Sequence, residues 1–99
     1  MESRKKTKRR IKFQFYSENA GTVKLLGDFN NWEPAKHPMN PIADGLWEKI
    51  IMLDPGRYEY KFLVDGEWEL DAENSKKCRN EFGSENSVMD VPARESSEL

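Results

Sequence analysis

The sequence predicts an all-β domain, an antiparallel β-sandwich of immunoglobulin-like shape. Three observations carry that expectation. Apolar residues recur with a period of two in nearly every hydrophobic segment, turn signals separate those segments at short intervals, and no amphipathic helix longer than a turn or two can be drawn. At 99 residues the chain suffices for one domain with a modest core, and is too small for a core plus a separate deep catalytic cleft.

The first segment, RIKFQFYS, alternates Ile11, Phe13 and Phe15 with Lys12, Gln14 and Tyr16, the pattern of a half-buried strand. An Asn19-Ala20-Gly21 turn leads into TVKLLGD. Beyond a polar loop, Asp44-Gly45 precedes LWEKIIML, in which Trp47 shares a side with Ile51 and Leu53 and is expected in the core. Asp54-Pro55-Gly56 turns the chain into RYEYKFLV, whose Tyr58, Tyr60, Phe62 and Val64 lie on one face. Asp65-Gly66 is a two-residue hairpin signal, because both positions tolerate positive φ. EWEL follows, then a polar stretch without clear period from Asp71 to Glu81, and a last short strand near Asn86 to Val91. The count is six or seven strands. The domain is expected over residues 10–92, between a basic disordered tail, 1–9, and a second disordered tail, 93–99.

The hairpin fixes where one tryptophan points. With Asp65 and Gly66 as the loop, Val64 pairs with Glu67, Leu63 with Trp68 and Lys61 with Leu70, and paired residues share a face. Trp68 then faces outward beside Lys61 and Leu63, opposite Tyr60 and Phe62. The same register sends Glu67 and Glu69 to the core side, which requires the second strand to be short and to project past the core. Trp32 lies in GDFNNWEP, a loop whose asparagines suit a tight turn. Two arrangements fit each indole: Trp32 faces water or plugs the sandwich end as its loop's apolar anchor, and Trp68 offers a free face or lies flat over Leu63 and Leu70.

Charge and composition exclude several functions. A net charge of −2 gives no global attraction to nucleic acid or anionic lipid, and Glu67, Glu69 and Glu33 beside the indoles would repel phosphates. Neither nucleic acid nor membrane is an expected partner. Cys78 is the single cysteine, which rules out an internal disulfide and a cysteine-rich zinc site. The basic start has no apolar run behind it and no segment approaches a membrane span, so a soluble cytoplasmic protein is expected. His37, in AKHPMNP, has no recognisable nucleophile or metal partner and is expected at the surface. No phosphate-cradling glycine loop occurs. The expectation is therefore no catalytic residue, no metal and no cofactor. Outward indoles beside a lysine and amides instead suit a sugar, whose apolar ring faces stack on aromatic plates and whose hydroxyl edges take hydrogen bonds.

In succession, VKLLGDFNNWEP, GLWEKIIMLDPGRYEYKFLVDGEWELD and NEFGSENSVMDV resemble a family 48 carbohydrate-binding module. This is the glycogen-binding domain of the AMP-activated protein kinase β subunit, found also beside isoamylases and branching enzymes. The resemblance covers nearly all of the chain between the tails, and FNNW together with YKFLVDGEW is its specific part. It implies an early-set immunoglobulin-like sandwich that binds glycogen or a related α-1,4-glucan, maltooligosaccharides included, without catalysis. By the same resemblance Trp32 and Trp68 stack on glucose units, Lys61 matches the lysine of the YKF strand, and the last loop contributes Phe82, Ser84 and Asn86. Phe82 stands where the kinase subunit has leucine. Structural alternatives exist for two of these: Phe82 as a loop anchor, and Asn86 as a tie between the loop and the last strand. The alternative function is a protein-interaction module that recruits or regulates a glucan-metabolising enzyme or a kinase.

Overall fold

The computed structural model describes residues 8–93. The two expected tails therefore lie outside the described residues apart from Lys8, Arg9 and Ala93, and Arg9 already belongs to the first strand.

The described chain is all-β, an antiparallel sandwich. In order come β1 (Arg9–Tyr16), β2 (Val23–Gly27), β3 (Asn40–Ala43), β4 (Leu46–Leu53), β5 (Gly56–Val64), β6 (Glu67–Glu69), β7 (Lys77–Arg79) and β8 (Glu85–Val91), with one 3-10 turn at Asp28–Asn30. One sheet runs β1-β4-β3; the other runs β2-β5-β8-β7, with β6 also on β5. β6 and β8 share one edge of β5 end to end, β6 pairing with its last three residues and β8 with its first five.

The period-two pattern decides which face is core. Phe13 of β1 meets Tyr60 of β5 edge-on at 5.0 Å, and Phe15 meets Phe62 at 5.0 Å, so the aromatics of the two sheets interlock across the sandwich. Val23, Leu25, Met39, Trp47, Leu53 and Val91 complete this core. The outer face of the five-stranded sheet has an apolar floor of its own: Leu26, paired with Lys61, and Val88, paired with Glu59, are both buried.

Eight strands form where six or seven were expected, and the two without a sequence signal, β3 and β7, bury no apolar face. β3 is exposed throughout, contains Pro41 and joins β4 through an irregular register; such a strand belongs at a sheet edge. Just before it, the chain runs along β2, Leu25 N donating to His37 O and Met39 N to Val23 O. Residues 37–39 so cover the edge of one sheet before the chain crosses to the other. β7 lies in the aperiodic stretch that gave no strand signal. That stretch is held by polar contacts: the buried Tyr60 hydroxyl donates to Asp71 Oδ2 at 2.6 Å, and Asn74 Nδ2 donates to Tyr60 Oη and to Val88 O. Burial, and then the bond to Asp71, raises the Tyr60 pKa, so the phenol stays a donor.

The Asp65-Gly66 hairpin forms as expected, with φ of 48° and 87°, and Val64 pairs with Glu67 and Leu63 with Trp68. The ladder stops at Glu69, so the expected Lys61–Leu70 pair is absent from it. All of β6 is exposed, which resolves the clash of two glutamates in a core register. Asp65 also fixes the hairpin to the β1–β2 connection by accepting from the amides of Gly21 and Thr22. Those two bonds hold its carboxyl below the usual range.

Candidate functional site

The loop after β2 is built around side chains that face inward so that one can face out. Phe29 packs its ring 5.5 Å from Phe13 and 6.0 Å from Tyr58, which makes it the apolar anchor. Asn30 is buried and fully bonded: Oδ1 accepts from the amides of Gly27 and Trp32, while Nδ2 donates to Leu25 O and contacts His37 Nδ1 at 2.8 Å. His37 is thus half-buried and part of this knot rather than a free surface residue. Desolvation, followed by repulsion from Lys49 and Lys36, lowers its pKa, so the imidazole is neutral and Nδ1 can accept. Asn31 and Trp32 both take left-handed backbone, at φ 56° and 57°. That reversal lifts the Trp32 indole out of the loop.

Asp28 then fixes the indole. Its Oδ1 accepts from Trp32 Nε1 at 3.1 Å and its Oδ2 from the Glu59 amide at 2.8 Å, so one carboxylate ties the ring to β5. With Nε1 occupied, Trp32 offers its ring face. Opposite stands Trp68, 50% exposed, with ring centroids 6.2 Å apart and planes inclined by 63°. Trp68 so keeps half of its surface exposed and lines the cleft with Trp32.

Lys61, on the same outward face of β5, lies with Nζ 5.8 Å from the Trp68 ring centroid and donates to Ser84 Oγ at 3.1 Å. It thereby joins the hairpin to the loop between β7 and β8. Asn80 shapes that loop: its Oδ1 accepts from the amides of Phe82 and Ser84, and Gly83 turns the chain at φ 81°. The result holds Phe82 outward, 82% exposed, which removes the loop-anchor alternative. Asn86 is only 6% exposed and does tie the loop to the sheet, accepting from Asn80 and donating to Glu59 Oε1 at 2.9 Å.

All six residues singled out in the sequence, Trp32, Lys61, Trp68, Phe82, Ser84 and Asn86, line one cleft of about 690 Å³ on the outer face of the five-stranded sheet, open to solvent. Trp47 lies elsewhere, 9% exposed in the core, with Nε1 donating to Ser17 O.

Sequence reasoning passed over Asp28, Glu59 and Asn80, which also line the cleft. Glu59 was within reach, since it stands two residues before Lys61 and must share its face. Asp28 carried the weaker signal of an acid opening a tight loop, and Asn80 carried none. Glu59 Oε2 accepts from Arg57 Nη1 at 3.0 Å. The bonds from Asn86 first and Arg57 second hold the Glu59 carboxyl below its usual range, so it remains ionised and cannot serve as the protonated acid that glycoside cleavage requires.

Comparison with known proteins gives one consistent picture. The model of the family described as the glycogen recognition site of AMP-activated protein kinase matches residues 10–97. Over 56 residues the chain is 36% identical to 1,4-alpha-glucan branching enzyme GlgB 2 of Xanthomonas campestris pv. campestris (strain 8004), a match spanning 54% of this chain and 8% of that enzyme. Over 62 residues it is 39% identical to the chloroplastic protein PTST of Arabidopsis thaliana, covering 60% of this chain and 22% of that protein. Among solved structures, a maltogenic amylase from S. marinus superposes with a TM-score of 0.74 at 23% identity, over 88% of this chain and 14% of the amylase. That likeness is one of fold.

Proposed function

This chain belongs to the family described as the glycogen recognition site of AMP-activated protein kinase, and we propose that it holds glycogen or a related α-1,4-glucan, without cleaving it, by stacking sugar rings on Trp32 and Trp68. The observation that carries the reading is the inclination of the two rings, 63° at a centroid separation of 6.2 Å. Two plates so inclined cannot both lie under a flat, extended ribbon of sugars. They suit a chain that turns between successive residues, as α-1,4-linked glucose does.

Each proposed contact has a role that its chemistry allows. The Trp32 and Trp68 faces remove the apolar side of a pyranose from water. Lys61, with two ammonium protons left beside its bond to Ser84, donates to hydroxyls and keeps Ser84 in reach. Phe82 closes the rim as an apolar stop. Asn86 presents the remaining proton of its amide group from the floor. Non-catalytic binding is supported by Glu59 and Asp28, whose four carboxylate oxygens each already accept a hydrogen bond.

An open cleft buries little of its ligand, so affinity for a short oligosaccharide should be weak, with a Kd of about 10 μM to 1 mM. Titration of the chain with maltoheptaose tests the reading. Saturable binding in that range, accompanied by a change in tryptophan emission, is expected. No binding to maltoheptaose or to glycogen overturns it.

A further inference from the structure

We infer that Glu59 is a positioning residue for the cleft, holding Asn86 and the Phe82–Ser84 loop as the terminal acceptor of a chain of hydrogen bonds. The chain begins at the backbone amides of Phe82 and Ser84, which donate to Asn80 Oδ1 at 2.9 and 3.1 Å. Asn80 Nδ2 donates to Asn86 Oδ1 at 3.1 Å, and Asn86 Nδ2 donates to Glu59 Oε1 at 2.9 Å. Arg57 Nη1 holds the other Glu59 oxygen at 3.0 Å.

Donor and acceptor chemistry sets the orientation of each link in this chain. Carboxamides present an acceptor on one side and donors on the other, so each of the two asparagines fits this chain in either of two orientations when taken alone. The ends remove that freedom. Backbone amides only donate and an ionised carboxylate only accepts, so both asparagines satisfy every bond in a single orientation. Asn86 is nine-tenths buried, and a flipped amide there would set its oxygen against Glu59 Oε1. Glu59, kept ionised by its bonds to Asn86 and Arg57, is therefore the acceptor that closes the chain at the cleft floor, where Asn86 offers an N–H. Through Asn86 it also anchors Asn80, to which the loop carrying Phe82 is pinned.

This inference rests on the glucan reading for its effect on affinity, yet the bond chain itself can be observed without any sugar. In 1H–15N spectra of the free protein, Glu59→Leu is expected to shift the side-chain amides of Asn86 and Asn80 and the backbone amides of Phe82 and Ser84, which do not touch Glu59 and are reached only through the two asparagines. Glu59→Gln retains an acceptor for Asn86 and should return Phe82 and Ser84 close to their original positions. With maltoheptaose, Glu59→Leu should weaken binding by about tenfold, the effect of unpairing one buried polar group, and Glu59→Gln should recover most of it. Unchanged Phe82 and Ser84 amides in Glu59→Leu overturn the inference, as does equal weakening by the leucine and glutamine variants. If the unsubstituted protein fails to bind maltoheptaose, the glucan reading falls and the amide shifts alone judge the relay.

Discussion

The ring of Phe29 lies 5.5 Å from that of Phe13, and this contact is what leaves Trp32 outside. A loop of this polarity needs one apolar anchor. Because Phe29 serves, the neighbouring indole is released from the core and held in the cleft by Asp28.

Phe29→Ala tests that division of labour. Removing a half-buried ring from between Phe13, Tyr58 and His37 should cost about 2–4 kcal/mol of stability, by lost transfer energy and the cavity left behind. Glucan binding should fall as well, since Trp32 is then free to occupy the vacancy. Chemical denaturation and a maltoheptaose titration of the variant check both; full affinity in a destabilised Phe29→Ala would mean that Trp32 is placed without its neighbour.

Gly27 offers a second test through close approach. A Cβ there would sit 2.7 Å from Glu59 O and 2.8 Å from Phe29 Cε2, inside the distance real side chains tolerate. Gly27→Ala must push β5 or the loop aside, at a cost of about 1–3 kcal/mol. It should also break the Asp28 bond to the Glu59 amide. The expected outcome is a lower denaturation midpoint with weakened glucan binding, read in the same two assays.

These tests also mark what sequence could and could not tell. β1, β4, β5 and the hairpin register were legible because alternation and an Asp-Gly turn leave one arrangement that buries Phe13, Tyr60 and Phe62. Parity then sent Trp68 and Lys61 outward, while the resemblance supplied Trp32 and the last loop. β3 and β7 were illegible for a physical reason: neither buries an apolar face, and each is held by what the rest of the chain brings to it. β3 is an edge strand on β4, and β7 follows a stretch fixed by Tyr60, Asp71 and Asn74. The half-buried place of His37 is illegible for a similar reason. Its partner Asn30 is local, but its burial depends on residues 37–39 running back along β2, which no local pattern announces.

His37 sets a pH dependence whose sign can be worked out. Burial first, then Lys49 and Lys36, lowers its folded pKa below the ordinary value of 6.5, so the unfolded chain binds the proton more readily. Its contribution to stability is fully present above pH 6.5 and is lost progressively as pH falls below it. Protonation also removes the acceptor that faces Asn30 Nδ2. Thermal melts should show the midpoint declining as pH is lowered from about 7 to 5, more steeply than in His37→Gln, which keeps an acceptor without the titration. Parallel curves for the two proteins would contradict this assignment.

The three tryptophans share one chemistry and stand in different surroundings, so the same truncation should give opposite results. Trp68 is 50% exposed and Trp32 only half-buried over a cleft. Trp32→Ala and Trp68→Ala should change stability by no more than about 1 kcal/mol while abolishing most glucan binding. Trp47 is 9% exposed, packed with the core and bonded to Ser17 O. Trp47→Ala leaves a cavity and should cost about 3–5 kcal/mol, a large share of the stability of a domain this small. Thermal melts and glycogen co-sedimentation on the three variants decide between these roles. A Trp68→Ala chain that unfolds, or a Trp47→Ala chain that keeps its fold and loses only binding, would move the binding face from the outer side of the five-stranded sheet to the surface around Trp47.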